Sequence, residues 1–346
     1  MDFNTDRMQQ TYSFDDVLLI PKYSDIQSRS EVDIGSDLDD SMRLDMPLIS
    51  SPMDTVTGAD MAAVIGKSGG LGIIHRYNTI EEQADLVYKA WLLGASNIGA
   101  AIGMTGDYVE RADALVKSGA KVLCIDVAHG HHALMERCLN NLNDMFSGQI
   151  HLMAGNVATL EAFNDLASWG AASIRVGIGG GSICSTRIVT GHGLPTLQSV
   201  FDCARSTYGT KIIADGGIKT TGDMVKALAA GADFVMVGSI LAGTDETPGE
   251  ISTSVSGDKF KEYRGMASKE AQRAWRGKNS TPEGVATVVP YRGSVEDVFA
   301  DIVGGIRSGL SYTGVRSLKD LQAAASFVIQ SSAAQLESNT HILWRK

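Results

Sequence analysis

The chain has 346 residues, 44% of them hydrophobic and 20% charged, with a formal net charge of −10. This composition suits a globular protein with a closed core, either two ordinary domains or one large α/β barrel. It offers no Lys/Arg run for a nucleic-acid face, no stretch long enough to span a membrane and no apolar leader in MDFNTDRMQQ. The four cysteines (Cys124, Cys138, Cys184, Cys203) form no CxxC pair. Reduced thiols in a cytoplasmic protein are therefore expected, with no membrane or nucleic-acid partner.

Eight short apolar runs follow one another along the chain: PLISSPMD (47–54), LGIIHR (71–76), NIGAAIG (97–103), KVLCIDVAHG (121–130), HLMAGNV (151–157), SIRVGIGGG (173–181), KIIADGG (211–217) and FVMVGS (234–239). Continuous apolar runs of this length suit strands buried on both faces. Segments of helical period lie between them, such as 80–94, 108–119 and 220–231, and several end in Gly, a helix C-cap residue. Strands alternating with helices predict a TIM (β/α)8 barrel, with an open doubly wound sheet as the other arrangement. We expect one barrel domain over 1–346, a mobile flap at about 263–293, and a C-terminal segment 294–346 whose stretches 297–310 and 318–332 are closing helices.

In such barrels chemistry sits in the loops after the strands. Here those loops hold Asp, Asn, His, Cys, Ser and Thr, while the strand interiors are nearly all apolar. The loop GIGGGSICSTR (177–187) is the most informative. Its glycines let backbone N–H groups or carbonyls approach a ligand, and Cys184 lies at its far end. From the residues alone, Cys184 reads equally as an activated thiolate or as a small buried Cys beside a tight turn. Cys124, Cys138 and Cys203 read as core. After the seventh and eighth runs, Gly216, Gly217, Gly238 and Ser239 offer donors where barrels bind phosphate, and Asp215 suits ribose hydroxyls. His129, His131 and His132 near Asp126 lack metal-ligand spacing and read as a solvated loop. Arg264, Arg273 and Arg276 read either as a phosphate clamp or as solubilising charge.

Taken together and in order, GIGGGSICSTR, SSPMDTVTG, IDVAHGH, AGNVAT, ADGGIK, YRGM and PEGV resemble the motifs of the IMP dehydrogenase and GMP reductase family, over nearly the whole chain. The resemblance implies a homotetramer of TIM barrels in which Cys184 attacks C2 of a purine nucleotide, GMP or IMP. Thr186 and Glu283 resemble the pair that moves protons during deamination. The resemblance implies nucleotide contacts at Ser51, Met53, Ser182, Asp215, Gly216, Gly217, Gly238, Ser239, Gly265, Met266, Ala267 and Gly284. It implies cofactor contacts at Ser28, Arg29, Arg76, Asp126, Val127, Ala128, Asn156, Ile178 and Gly179. It also implies a monovalent cation, K+, on the carbonyls of Gly179, Gly181 and Cys184, although Gly180 replaces the usual Pro of that loop.

No pair of CBS modules interrupts the chain after HRYNTIEEQADLV. The 265–283 segment is short and lacks the Arg-Tyr pair with which the dehydrogenase activates water. Both features imply the NADPH-dependent reductase. IDVAHGH, ESNTH (337–341) and PEGVATVVPYRG look closer to the NAD-dependent dehydrogenase, for which Arg273 or Arg276 would be a substitute base.

Overall fold

The computed structural model describes residues 8–277 and 281–338. Each of the eight apolar runs forms a strand: β1 (Leu48–Ser50), β2 (Leu71–Ile74), β3 (Ile98–Ile102), β4 (Val122–Asp126), β5 (His151–Val157), β6 (Ser173–Val176), β7 (Lys211–Asp215) and β8 (Phe234–Val237). Neighbours pair in parallel, and β8 returns to β1 through Val235 opposite Leu48 and Val237 opposite Ser50, closing the barrel. Nearly every strand residue is buried, which is why the runs lack polar alternation. One face of each strand fills the lumen with Ile49, Leu71, Ile73, Val122, Met153, Ile213, Phe234 and Met236. The other face packs on the surrounding helices.

Those helices are α1 (Ala59–Lys67), α2 (Ile80–Leu92), α3 (Tyr108–Lys117), α4 (Ala133–Phe146), α5 (Leu160–Ser168), the short α6 (Thr186–Thr190), α7 (Thr196–Cys203) and α8 (Thr221–Ala229). Their starts are written locally. Thr79 accepts from the Glu82 amide while Glu82 reaches back to the Thr79 amide, and Thr220 and Asp223 repeat this box at α8.

The sequence did not announce a hairpin of Ser36–Asp39 and Met42–Leu44, whose Leu38, Met42 and Leu44 plug the lumen beside Leu71 and Phe234. His151 ties this plug to the barrel, with Nδ1 2.8 Å from Asp39 Oδ2 and Nε2 2.8 Å from Ser173 Oγ.

Beyond β8 the chain differs from expectation in two ways. The flap stands on a three-stranded antiparallel sheet, β9 (Ser252–Thr253), β10 (Lys259–Arg264) and β11 (Ala286–Pro290), and carries helix α9 (Lys269–Arg276), so its base begins before residue 263. Helix α10 (Val295–Thr313) closes the ring as expected. The second closing stretch, expected as a helix over 318–332, divides: α11 covers Leu318–Ala324, Phe327–Ile329 is a strand antiparallel to Val17–Leu19, and α12 covers Ser332–Glu337. The Phe-Val-Ile triplet favours extended backbone, and Ala325 is already extended at the helix end. Among the described residues no helix is long and apolar enough to cross a membrane.

Candidate active site

A cavity of about 660 Å3 opens where the barrel strands end. Its wall includes Ser51, Met53, Arg76, Asp126, Val127, Ala128, Asn156, Ile178, Gly179, Gly181, Ser182, Cys184 and Thr186. Asp215, Gly216, Gly217, Gly238, Ser239, Gly265, Met266, Ala267, Glu283 and Gly284 also line it. Every residue that the resemblance assigns to catalysis, nucleotide or cofactor is thus brought to one place, except Ser28 and Arg29. Those two open a one-turn 3-10 helix whose Glu31 pairs with Arg316, away from this wall.

Cys184 is half-buried, at the end of the loop that leaves β6. Its thiol donates to Thr186 Oγ1 at 3.1 Å, and the Thr186 hydroxyl donates to Glu283 Oε2 at 2.9 Å. Glu283 comes from the flap, 97 residues away in sequence. Backbone pairing fixes the junction: Val285 N–H donates to the Ile183 carbonyl at 3.0 Å, and Ser185 N–H to the Glu283 carbonyl at 2.9 Å. The result is a continuous line of hydrogen bonds from sulfur to carboxylate. The other three cysteines are buried, and burial pushes each thiol up to about 12, so they stay protonated and inert.

On one side of Cys184 lies a cradle of backbone and hydroxyl groups. Gly216, at φ +88°, turns the chain after β7 in a conformation L side chains avoid. Ser182 Oγ stands 3.4 Å from the Tyr263 hydroxyl, and a Cβ on Gly238 would fall 3.0 Å from Met53 Sδ and 3.3 Å from the same hydroxyl. Burial raises the Tyr263 phenol above its usual range against the pull of Ser182 and Ser239, so it remains a donor. A Cβ on Gly180 would lie 2.7 Å from Thr196 Oγ1, which explains why Gly stands at that point of the loop.

On the other side, the floor is an ion cluster. Arg175 Nη1 binds Asp126 Oδ1 at 2.5 Å, and its Nη2 binds Asp215 Oδ2 at 2.9 Å. Asn156 Nδ2 donates to the same Asp215 oxygen and to the Gly177 carbonyl, both at 2.8 Å. Burial works against the Arg175 charge, but Asp215 and Asp126 outweigh it and hold its pKa well above the usual value. Sequence reading missed Arg175. The signal was a lone cation inside the apolar run SIRV, since a buried charge needs partners. It also missed the Arg264–Asp54 pair, 2.6 Å, which ties the flap to the loop after β1 and takes Arg264 away from a free phosphate clamp.

Of the histidines near Asp126, His129 is exposed and the other two are engaged elsewhere. His131 contacts Asp165 at 2.8 Å, and His132 caps α4. Among the described residues no group of His, Cys, Asp and Glu could hold a metal ion. Arg273 is exposed on α9. The Arg276 side chain and residues 339–341 of ESNTH lie outside the described residues.

The model of the IMP dehydrogenase / GMP reductase domain matches residues 11–341. The chain belongs to that family. Its relatives include inosine-5′-monophosphate dehydrogenases from Cryptosporidium parvum, 38% identical over 95% of this chain and 94% of that protein, and from Nitrosopumilus maritimus, 34% identical over 95% and 98%. The latter alignment runs over 466 positions against a chain of 346 residues, so that dehydrogenase carries a long segment this family member lacks. Among solved structures, a GMP reductase from Trypanosoma brucei in complex with guanosine 5′-monophosphate superposes with a TM-score of 0.93, 29% identity, and coverage of 99% of this chain and 100% of that one. The chain is therefore an oxidoreductase of a family that acts on GMP or IMP with a nicotinamide cofactor.

Proposed function

We propose that this family member is a GMP reductase, converting GMP to IMP and ammonia at the expense of NADPH. The observation that carries the reading is the line Cys184–Thr186–Glu283, which joins the nucleophile to a carboxylate through one hydroxyl. The thiol proton passes along this line to Glu283, and the thiolate adds to C2 of the guanine. A proton returns through Thr186 to the exocyclic nitrogen as the C2–N bond breaks, and ammonia leaves. The product of this half-reaction is a thioimidate between Cys184 and C2. Splitting the reaction at a covalent stage replaces one hard step by two easier ones. The nicotinamide cofactor, when bound, supplies hydride to C2. The C2–S bond then breaks, IMP departs, and Cys184 is free to regain its proton.

The remaining wall residues have matching tasks. Ser182, Gly216, Gly217, Gly238 and Ser239 take the phosphate, with Tyr263 behind them, and Asp215 takes the ribose. Ser51, Met53, Gly265, Met266, Ala267 and Gly284 pack the base. Arg76, Asp126, Val127, Ala128, Asn156, Ile178 and Gly179 take the cofactor. A buried guanidinium nitrogen, Arg76 Nε, makes no hydrogen bond and stands 3.8 Å from Asp126 Oδ2. Such a donor fits a site that a polar ligand completes. Ser28 and Arg29 lie outside this cavity, which fits residues that serve a neighbouring subunit of a homotetramer. The Gly179, Gly181 and Cys184 carbonyls would hold K+ and stiffen the loop. The Gly181 carbonyl already accepts from the Cys184 amide at 3.1 Å, leaving its second lone pair for the ion.

A second reading, an IMP dehydrogenase using NAD, is favoured by the names of the relatives at 34–38% identity. It needs a water-activating base on the flap, and exposed Arg273 is the described side chain that would serve. One assay matrix tests the choice: GMP and IMP, each with reduced or oxidised NAD or NADP, followed by nicotinamide absorbance. Oxidation of NADPH with GMP supports the reductase. Reduction of NAD with IMP, abolished in Arg273→Ala, replaces it by the dehydrogenase.

A further inference from the structure

The flap contributes through Glu283, so whatever docks the flap sets the geometry of the relay. Its base is pinned by Lys261, whose buried ammonium donates to the carbonyls of Thr244 at 3.0 Å and Thr247 at 2.5 Å. The end of β10 is pinned by Arg264 on Asp54. The helix it carries, α9, presents Glu270 and Arg273 to solvent and buries Ala271. Trp275 lies four residues beyond Ala271, on the same face. Its ring stacks on Tyr77, in the loop after β2, with centroids 6.1 Å apart and planes at 19°. Tyr77 in turn lies under Arg76, whose Cζ is 5.7 Å from the ring centroid and whose Nη2 donates to the Asp126 carbonyl at 3.2 Å. A packed line therefore runs from the flap helix to the floor of the cavity.

We infer that Trp275 is a positioning residue: its stack on Tyr77 latches α9 to the barrel and so holds Glu283 against Thr186 and shields Cys184. The kinetic consequence rests on the proposed reductase reading, whereas the shielding of Cys184 does not. Cys184 is the half-buried cysteine and the other three are buried with protonated thiols, so the fast phase of alkylation by iodoacetamide reports on it.

The test alkylates the full chain without substrate and maps the labelled peptide by mass spectrometry. An aromatic pair of ordinary strength corresponds to roughly a 2- to 12-fold change in an opening equilibrium. Trp275→Ala accelerates labelling of Cys184 by about that factor. Tyr77→Leu, which removes the other ring, does the same, and Trp275→Phe stays close to wild type. With GMP and NADPH, kcat of Trp275→Ala falls while KM for GMP holds, and Phe restores kcat. Unchanged labelling in both Trp275→Ala and Tyr77→Leu overturns the latch, as does failure of Phe to restore the shielding. A wild type that turns over no GMP, but whose Trp275→Ala variant labels faster, sinks the reductase reading and leaves the latch standing. Unchanged labelling beside normal GMP turnover does the reverse.

Discussion

The relay at Cys184 depends on three side chains with separable duties. In the proposed reaction Cys184 supplies the sulfur that bonds to C2, so in Cys184→Ala turnover should fall to background while GMP still binds, as calorimetry would read. Glu283→Gln keeps the shape of the side chain but cannot take the thiol proton. General acid–base catalysis of this kind contributes about 10²- to 10⁴-fold, so kcat falls by that order with little change in GMP affinity. A loss of binding equal to the loss of rate would instead make Glu283 a simple substrate contact. At this scale the sequence was only half legible. Gly-rich backbone beside Cys184 was compatible with either a nucleophile or a packed thiol, and the partner carboxylate lay 97 residues away, beyond any local pattern. Family motifs supplied the pairing. Arg175, which organises Asp126 and Asp215, was passed over because its neighbours read as an ordinary strand.

At the scale of elements, the parallel strands were legible because burial on both faces leaves continuous apolar runs. The antiparallel strands were not. In β10 the buried position 261 is a Lys, satisfied by carbonyls of the loop after β8, so the polar–apolar alternation that marks a half-buried strand is broken. The SDLDDSMRL hairpin keeps the alternation, with Leu38, Met42 and Leu44 buried between Asp37, Asp39 and Arg43, but strands of four and three residues are too short for the period to stand out. The loops after β7 and β8 show what the strands hold in place. Gly238→Ala would put a methyl 3.0 Å from Met53 Sδ and 3.4 Å from Ser51 Oγ, inside the proposed nucleotide cradle. Steady-state kinetics should show KM for the nucleotide rising about tenfold or more, the effect of roughly 1.4 kcal/mol of lost binding, with the melting midpoint little changed. An unchanged KM would move the phosphate elsewhere.

For the whole molecule, closure of the barrel depends on a lumen plugged from below. His151 holds that plug from within the barrel wall, and burial lowers its pKa from 6.5 despite Asp39. A lowered histidine pKa means the unfolded chain takes up a proton that the native state refuses. Stability is therefore present above about pH 6.5 and is lost as the pH falls below it. Buried His75 is shifted in the same direction by desolvation and adds to the effect. Asp39, whose pKa is also lowered on balance, adds a further loss only as pH drops through the carboxylate range below 3.8. Thermal melts between pH 7 and pH 5 should show the midpoint falling with acidity, and His151→Gln should flatten that slope. An equal slope in the variant would assign the acid sensitivity to other groups.

In the proposed reaction Cys184, relayed through Thr186 to Glu283, expels ammonia from C2 of GMP before hydride arrives. Its most direct test follows nitrogen-labelled ammonia released from GMP labelled at the exocyclic amine, in the same reaction as NADPH oxidation. One labelled ammonia should appear for each NADPH consumed, and neither change should occur in Cys184→Ala. No labelled ammonia from GMP, together with NADH formed from IMP, would contradict it.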